Sequence, residues 1–465
     1  MRRRRLAGNP FFMVLDEIMY FLYSLFFSVW IVLMTPIFLY RALRHGKYRQ
    51  GVAQRLGNLP ASLRWEGRPT IWFHACSVGE TLSIEPLVRE LNNLFPEARL
   101  VFSTVTATGQ TLARERFSVY GQGNTFYFPF DLGWVCRRFL DFIRPTLIVI
   151  TDTEIWPNLL RQAHKSSIPV VMANGRISDK SVKLYRFVTP LMKRVFQSYG
   201  AFLMQSEDDA QRIRAIGAPA HKVIVSGNMK YDKQPVEQEK VEAAARALDD
   251  ALGISSEPGG LIVAGSTHEG EEQVLFEALG KVRLSPGLEN TRLLVAPRHP
   301  ERFDAVAELA SRFGFAVKRR SGKKQEERGA QVLLLDSIGE LATAYRFATI
   351  AFVGGTLIAH GGQNIVEPAW YSKPIVIGPS MENFRRTADD FLARGALKQL
   401  RAPISDRQAQ IGELGELFSK LLVDEETRFS LGRAARGVLE KNRGASKFTA
   451  EKIAALFREA AGRSL

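Results

Sequence analysis

No charged residue occurs between Ile18 and Tyr40, a run of 23 residues reading IMYFLYSLFFSVWIVLMTPIFLY. A helix of that length covers about 30 Å of hydrocarbon. Arg2–Arg5 precede the run, and Arg41, Arg44, Lys47 and Arg49 follow it. The stretch is too long for a cleaved leader and has no Ala-x-Ala exit, so it predicts a membrane anchor. Basic residues on both flanks leave its orientation open, and they also suit a helix lying flat on anionic headgroups. A buried core helix is the remaining alternative. Asp16 and Glu17 limit how deeply the Phe11–Phe12 end can sit.

Past residue 65 the pattern changes to short apolar runs alternating with amphipathic stretches. TIWFHAC (70–76), RLVFSTV (99–105), TLIVITD (146–152), PVVMANG (169–175) and AFLMQS (201–206) read as buried strands, with helices such as Thr81–Asn93 and Asp208–Ile216 between them. The segment 234–258 is polar and reads as a linker, with VEQEKVEAAARAL as a solvated helix and SSEPGG as a loop running just past it. A second series follows: GLIVAGS (260–266), RLLVAP (292–297), VLLLDS (332–337), TIAFVGG (349–355) and PIVIGP (374–379). Arg407–Leu465 is helical in pattern. The prediction is α/β, with two doubly wound parallel sheets facing across a cleft. The expected domains are an anchor (1–48), a first Rossmann-like domain (49–233), the linker (234–258), a second Rossmann-like domain (259–440) and a closing helix (441–465).

Composition narrows the function. The chain has 465 residues, 46% apolar and 24% charged, which excludes wholesale disorder and suits two or three domains. Two distant cysteines, Cys76 and Cys136, exclude a disulfide scaffold and a cysteine-rich zinc site. The net charge of +15 suggests an anionic partner, and +6 of it lies in residues 1–50. No dense basic tract beside aromatics occurs in the body, so nucleic acid is not expected.

Ligands of such sheets sit at the carboxyl ends of the strands, and the motifs fall there. HACSVGET (74–81) follows the first strand of the body. Glu80 falls in the first turn of the next helix, either as a general base or as a carboxylate that only complements the helix dipole. His74 reads as a core histidine and Cys76 as a small apolar residue. Asp152 and Glu154 in TDTEIWPN are a metal pair, a stabiliser of positive charge, or capping residues beside a core Trp156. Lys230 in GNMKYD can neutralise a phosphate or carboxylate. Ser266-Thr267 of AGSTHEGEE and Pro300 of PRHPER read as helix starts whose N–H groups suit phosphate, with Arg298 facing the anion. DSIGEL (336–341) gives a third such turn. Gly361, Gly362 and Asn364 of HGGQNIVEP offer backbone N–H groups, while Glu367 either accepts from ribose or caps Asn364. A P-loop, a G-x-G-x-x-G after the early strand and a G-x-S-x-G elbow are absent.

In this order these motifs, with NGRISDKS (174–181), FVGGT and the N-terminal apolar segment, resemble the bacterial 3-deoxy-D-manno-oct-2-ulosonic acid (Kdo) transferases of lipopolysaccharide synthesis. The resemblance covers nearly the whole chain. It implies a GT-B glycosyltransferase, with the acceptor on the N-terminal domain and the CMP-sugar on the C-terminal one. It implies Glu80 as general base, and Asp152 and Lys230 as groups stabilising the transition state. Pro297-Arg298, Ile338-Gly339-Glu340 and Asn364-Ile365-Val366-Glu367 match CMP-binding segments. It implies no metal or other cofactor, CMP-Kdo and a lipid A precursor as substrates, and an inner-membrane enzyme with cytoplasmic catalytic domains on an anionic membrane surface.

Two positions depart from the family pattern. Asp152-Thr153-Glu154 stands where Glu-Thr-Glu is common. Gln363 and Ile365-Val366 stand where His and Pro-Leu are common. Glutamine cannot carry charge, and His360 is a candidate to compensate. The alternatives are a related transferase using another nucleotide sugar such as a UDP-sugar, and a non-catalytic membrane-bound descendant.

Overall fold

The computed structural model describes residues 10–45, 51–232, 238–322 and 329–464. Arg2–Arg5, Lys47, Arg49 and residues 234–237 of the expected linker lie outside the described residues. The chain divides into two compact units, residues 1–233 with 443–465, and residues 234–442.

Unit 1 is built on seven parallel strands: β1 (Thr70–His74), β2 (Arg99–Thr104), β3 (Thr125–Tyr127), β4 (Leu147–Thr151), β5 (Val170–Gly175), β6 (Tyr199–Met204) and β7 (Val223–Val225). Their spatial order is β3-β2-β1-β4-β5-β6-β7. The first two central pairs run in strict register, Ile71 against Leu100 and against Leu147. Both faces are covered, which is why β1 and β4 read as continuous apolar runs rather than alternating ones. Trp72, Ile148 and Ile150 enter one core with Phe126, Phe128 and Phe139. Ile71, Phe73, Leu147 and Val149 enter the other with Leu87, Val88 and Leu91. Short β3 and β7 were not among the expected strands, because three residues carry too little periodicity to stand out.

The helix Ala445–Ser464 packs on this unit, with Ile453, Ala454 and Phe457 buried in its second core. Phe457 lies 4.6 Å from Phe95, ring to ring. The Gly444 N–H donates to Asp232 at 2.6 Å, fixing where the chain returns.

The long helix α1 (Pro10–His45) contains the whole apolar run. Over Glu17–Met34 its mean hydropathy is 1.8 and little of it is buried. It is nevertheless attached. The Tyr23 hydroxyl donates to Asp131 at 2.9 Å, and Asn158 Nδ2 donates to Ser24 Oγ at 3.0 Å. Arg161 lies over the Tyr20 ring and pairs with Glu17. Asp131 is fully buried and also accepts from the N–H groups of Asn158 (3.0 Å) and Leu159 (2.8 Å), at the start of the helix Pro157–Lys165. One carboxylate thus caps a helix and holds α1.

Unit 2 carries a second parallel sheet: β8 (Leu261–Thr267), β9 (Arg292–Pro297), β10 (Val317–Arg319), β11 (Val332–Leu334), β12 (Ile350–Val353), β13 (Ile375–Ile377) and β14 (Lys398–Gln399). The order is β10-β11-β9-β8-β12-β13-β14. β10 and β14, at its edges, escaped the sequence reading for the same reason as β3 and β7. The expected linker contains the helix Gln238–Leu252, whose Leu248 and Leu252 share a core with Val263 and Tyr345. Those apolar positions recur on one helix face, so the segment folds onto unit 2 and is not a free tether.

Removing the Asp131 carboxylate leaves two buried N–H groups and the Tyr23 hydroxyl without an acceptor. Asp131→Ala is expected to destabilise unit 1 by about 3 kcal/mol. Thermal unfolding in detergent checks it, and an unchanged midpoint rules out this carboxylate as the attachment point.

Candidate active site

In unit 1 the winding reverses between β1 and β4, which leave the sheet in opposite directions along its width. Their carboxyl-end loops are the natural crevice of such a sheet. The first carries His74 to Glu80 and the second carries Asp152 to Glu154.

His74 is a core residue, as the sequence suggested. It is fully buried, stacks on Phe128 at 3.8 Å and places Nδ1 3.0 Å from Ser103 Oγ. Burial holds its pKa down at about 3, so the ring is neutral. Glu80 lies in the first turn of the helix Val78–Leu94, capped by Ser77. Its Oε2 accepts from the Cys76 N–H at 2.7 Å and its Oε1 from the Ser77 hydroxyl at 2.9 Å. The carboxylate therefore serves the helix start. The bonds fix the carboxylate and still leave it unused lone pairs. Burial raises its pKa, and these two hydrogen bonds pull it back.

The second loop turns sharply, with Asp152 at φ +59°, a conformation that aspartate tolerates better than most residues. Its carboxylate lies 3.6 Å from the Arg176 guanidinium. Burial raises the Asp152 pKa, while Arg176 and then Lys230 lower it. Lys230 comes from the turn Met229–Asp232, anchored where the Met229 N–H donates to Asn174 Oδ1 at 3.1 Å. Burial and Arg176 lower the Lys230 pKa, and Asp152 and Glu80 oppose them. The fold thus brings Glu80, Asp152 and Lys230 into one electrostatic neighbourhood.

Sequence reasoning did not single out Arg176 and Asn174. Both lie in NGRISDKS, directly after β5, so position after a strand was the available signal.

Glu154 completes the group. Burial first, then the charges of Glu80 and Asp152, push its pKa to about 7. Ligand atoms of Cys76, Glu80 and Glu154 lie within 4.8 Å of one another. Burial pushes the Cys76 thiol up to about 12, so it keeps its proton at neutral pH.

In unit 2 the predicted segments follow β8, β9, β11 and β12, four neighbours whose carboxyl ends share one edge. Several expected ligand groups prove to be internal fasteners. Ser266 and Thr267 belong to β8 and do not start a helix; the cap of Glu271–Arg283 is Gly270. Glu271 is fully buried and accepts from the N–H groups of Gly355 (2.7 Å), Thr356 (2.9 Å), Leu357 (2.9 Å) and His268 (2.9 Å). Glu272 is also buried. It receives both Arg302 nitrogens, at 2.7 and 3.1 Å. The N–H groups of Gly361 and Gly362 are likewise occupied, by Ser380 Oγ at 2.9 Å and the Gly355 carbonyl at 2.7 Å.

Other segments remain presented. Pro297 ends β9, and Arg298 is exposed beside it. Pro300 opens the single turn Pro300–Arg302. Ile338 is exposed and Gly339 turns at φ +90°. Glu340 accepts from Arg320 at 3.1 Å and from the Ser337 hydroxyl. Asn364 Oδ1 accepts from the Val366 N–H at 3.1 Å, and its Nδ2 lies 3.3 Å from Glu367. Asn364 and Glu367 therefore form a local pair ahead of and within the short turn Val366–Trp370, whose N-cap, Ile365, carries no side-chain bond. Ile365 and Val366 are buried and present backbone alone. His360 sits beside Gln363, and its ring centroid lies 3.9 Å from that of His268; His299 approaches His268 edge-on at 5.5 Å. Burial and the His360 charge hold His268 down at about 4.

Residues 50–233 match the family model described as 3-Deoxy-D-manno-octulosonic-acid transferase (kdotransferase). A 3-deoxy-D-manno-octulosonic acid transferase of Haemophilus influenzae is 32% identical over 406 residues, 87% of this chain and 91% of its own. That of Bordetella pertussis is 30% identical over 388 residues, 82% of this chain and 86% of its own. The crystal structure of a glycosyltransferase from Rickettsia africae superposes with a TM-score of 0.52 at 12% identity, over 85% of this chain and 99% of that one. That likeness bears on the fold alone, two α/β units of the GT-B type. The sequence relationship, extending over most of the chain, places this protein in the Kdo transferase family of glycosyltransferases.

Proposed function

We propose that this chain moves Kdo from CMP-Kdo to a glucosamine hydroxyl of a lipid A precursor, lipid IVA, with inversion at the anomeric carbon. The observation that carries the reading is the Glu80 carboxylate, oriented by Cys76 and Ser77 at the reversal point of the first sheet. Family membership supplies the donor and the reaction class. Glu80 takes the proton from the acceptor hydroxyl, the oxygen bonds to the anomeric carbon, and the bond to the CMP phosphate breaks. The transition state carries oxocarbenium character, as in other glycosyl chemistry. Asp152 stabilises that positive charge, and Lys230 neutralises an anionic group of the sugar or phosphate.

On unit 2, Pro297-Arg298, Ile338–Glu340 and Asn364–Glu367 form the CMP subsite. Because the N–H groups of Gly355 to Leu357, Gly361 and Gly362 are committed internally, Arg298 and the His268–His360 pair are the groups, among the described residues, that meet the anion in this reading. The reaction in this reading uses no metal or other cofactor. The apolar helix α1 holds the enzyme at the bacterial inner membrane, with the catalytic units on the cytoplasmic side and basic residues toward anionic lipid.

The reading is tested by CMP release from CMP-Kdo with tetra-acylated lipid A precursor, the product mass measured alongside. Release matched by a Kdo mass increment is expected; CMP bound without release points to another donor or acceptor, or to an inactive descendant. Glu80→Gln should lower turnover at least 100-fold, the scale of general-base catalysis, and leave CMP binding intact. Equal loss of both removes Glu80 from the role of base. Asp152→Asn should lower turnover more than it weakens donor binding, and unchanged turnover refutes its role.

Glu154 gives a separate handle. Its folded pKa of about 7 stands above the ordinary glutamate value of 4.5, so the folded state binds the extra proton between those values. Its contribution to stability is present below about pH 4.5 and declines as pH rises to about 7. Glu154→Gln should therefore raise the unfolding midpoint relative to the parent at pH 8, and the gain should vanish near pH 5. A gain independent of pH excludes the shifted carboxyl.

A further inference from the structure

Two helices of unit 1, Asp179–Phe187 and Thr189–Gln197, meet at an elbow around Val188. The inner side of the elbow is committed to the core, where Val182, Met192, Val195 and Phe196 are buried. The outer side is not. Phe187 is 87% exposed, Leu184 67% and Val188 42%. One exposed apolar side chain is ordinary, but three together at a helix corner are not. Between Asp179, which opens the first helix, and Glu207 the charged residues are all basic. From Lys180 to Ser206 the sequence holds Lys180, Lys183, Arg186, Lys193 and Arg194 and no acidic residue. Lys183, Arg186 and Lys193 are exposed. An apolar tip in a basic collar is the composition of a segment that dips into the headgroup region of an anionic bilayer.

The same unit shows where a bilayer would lie. Glu17 of α1 pairs with Arg161 and Lys165, toward the far end of the helix Pro157–Lys165, while Ser24 meets Asn158 at its start. α1 therefore runs antiparallel to that helix, and residues after Ser24 leave past the carboxyl edge of β4. Phe26 and Val32 there are 71% and 68% exposed. The elbow helix begins at the same edge, directly after the loop carrying Arg176, which pairs with Asp152. The helix Pro157–Lys165 in turn packs against Thr189–Gln197, joining anchor and elbow through one element.

We propose that the elbow at Leu184, Phe187 and Val188 is a second membrane contact, which enters an anionic bilayer beside the edge that carries Glu80. It acts with α1 to fix the height of that edge above the lipid, so that a membrane-embedded acceptor presents its sugar hydroxyl to the site. This rests on the reading of the acceptor as a lipid.

The test uses the full chain in phosphatidylcholine vesicles with and without phosphatidylglycerol. An environment-sensitive fluorophore is attached at Phe187→Cys, and for comparison at Val119→Cys, an exposed apolar position beside the amino end of β3. Cys136 is buried and the Cys76 thiol is held protonated, so labelling favours the added thiol. A quencher on the lipid acyl chains should reach the label at position 187 and not the one at 119, more strongly with anionic lipid. Leu184→Glu with Phe187→Glu should lower transfer to a bilayer-embedded acceptor about tenfold, the scale of one lost apolar side-chain burial. Transfer to a deacylated, water-soluble acceptor should be unchanged.

Equal quenching at both positions overturns the elbow contact, as does equal slowing on both acceptors. Shielding of position 187 that grows with protein concentration in the absence of lipid assigns the elbow to a second copy and also overturns it. Parental transfer to the two acceptors is measured first. If it is absent while position 187 is quenched, the acceptor reading fails and the membrane contact stands.

Discussion

A carboxylate removed from water has to be given hydrogen-bond donors, and the nearest donors in a loop are backbone N–H groups. This constraint organises both units. Asp131 collects two N–H groups and the Tyr23 hydroxyl, and so joins α1 to the first sheet. Asp209 is fully buried and accepts from the Ile177 N–H at 3.1 Å, which secures the loop bearing Arg176. Glu271 collects four N–H groups and ties the loop after β12 to the loop after β8. Glu80 follows the same rule less deeply, and its remaining lone pairs are what make it available for chemistry. Loops rigidly held in this way can present side chains to a ligand without losing much entropy on binding.

The two sheets show different economies with similar topology. In unit 1 the crevice is lined by charges of both signs whose burial shifts them toward neutrality: carboxylates upward, Lys230 downward. Such shifts are typical of sites where protons move. In unit 2 Glu271 and Glu272 at the corresponding edge are committed to internal bonds, and Arg298 lies exposed near a cluster of three imidazoles. The first arrangement suits proton removal and the second suits an anion.

The central strands were legible because a doubly covered sheet demands unbroken apolar runs, and those runs are visible in any sequence. Short edge strands carry no such demand, so β3, β7, β10 and β14 were not. Glu80 and Asp152 could be located because each directly follows an apolar run. The roles of Glu271, Gly361 and Gly362 could not. Three of the four partners of Glu271 stand more than eighty residues away, at Gly355 to Leu357, and local spacing carries no trace of such a pairing. Local spacing read Gly361 and Gly362 as phosphate binders and gave Glu271 no role, because a group bound to distant backbone and a group free for ligand look alike over eight residues. The Asn364–Glu367 contact was legible, since its whole geometry is local.

The return of Ala445–Ser464 to the first unit has a consequence during synthesis. The apolar surface formed by Leu91, Phe95 and their neighbours is made early, and its cover is made only after Gln234–Asn442 has been translated. At about 5–20 residues per second that interval is roughly 10–40 s. During it the ribosome carries a nearly folded α/β sheet with one uncovered flank. A newly made chain therefore depends on a transient guardian, or on the second unit folding quickly enough to bring the final helix home. Sticky half-finished molecules are the hazard of interleaving two units in this way, and a frameshift late in the message would damage the first unit as surely as one near its start.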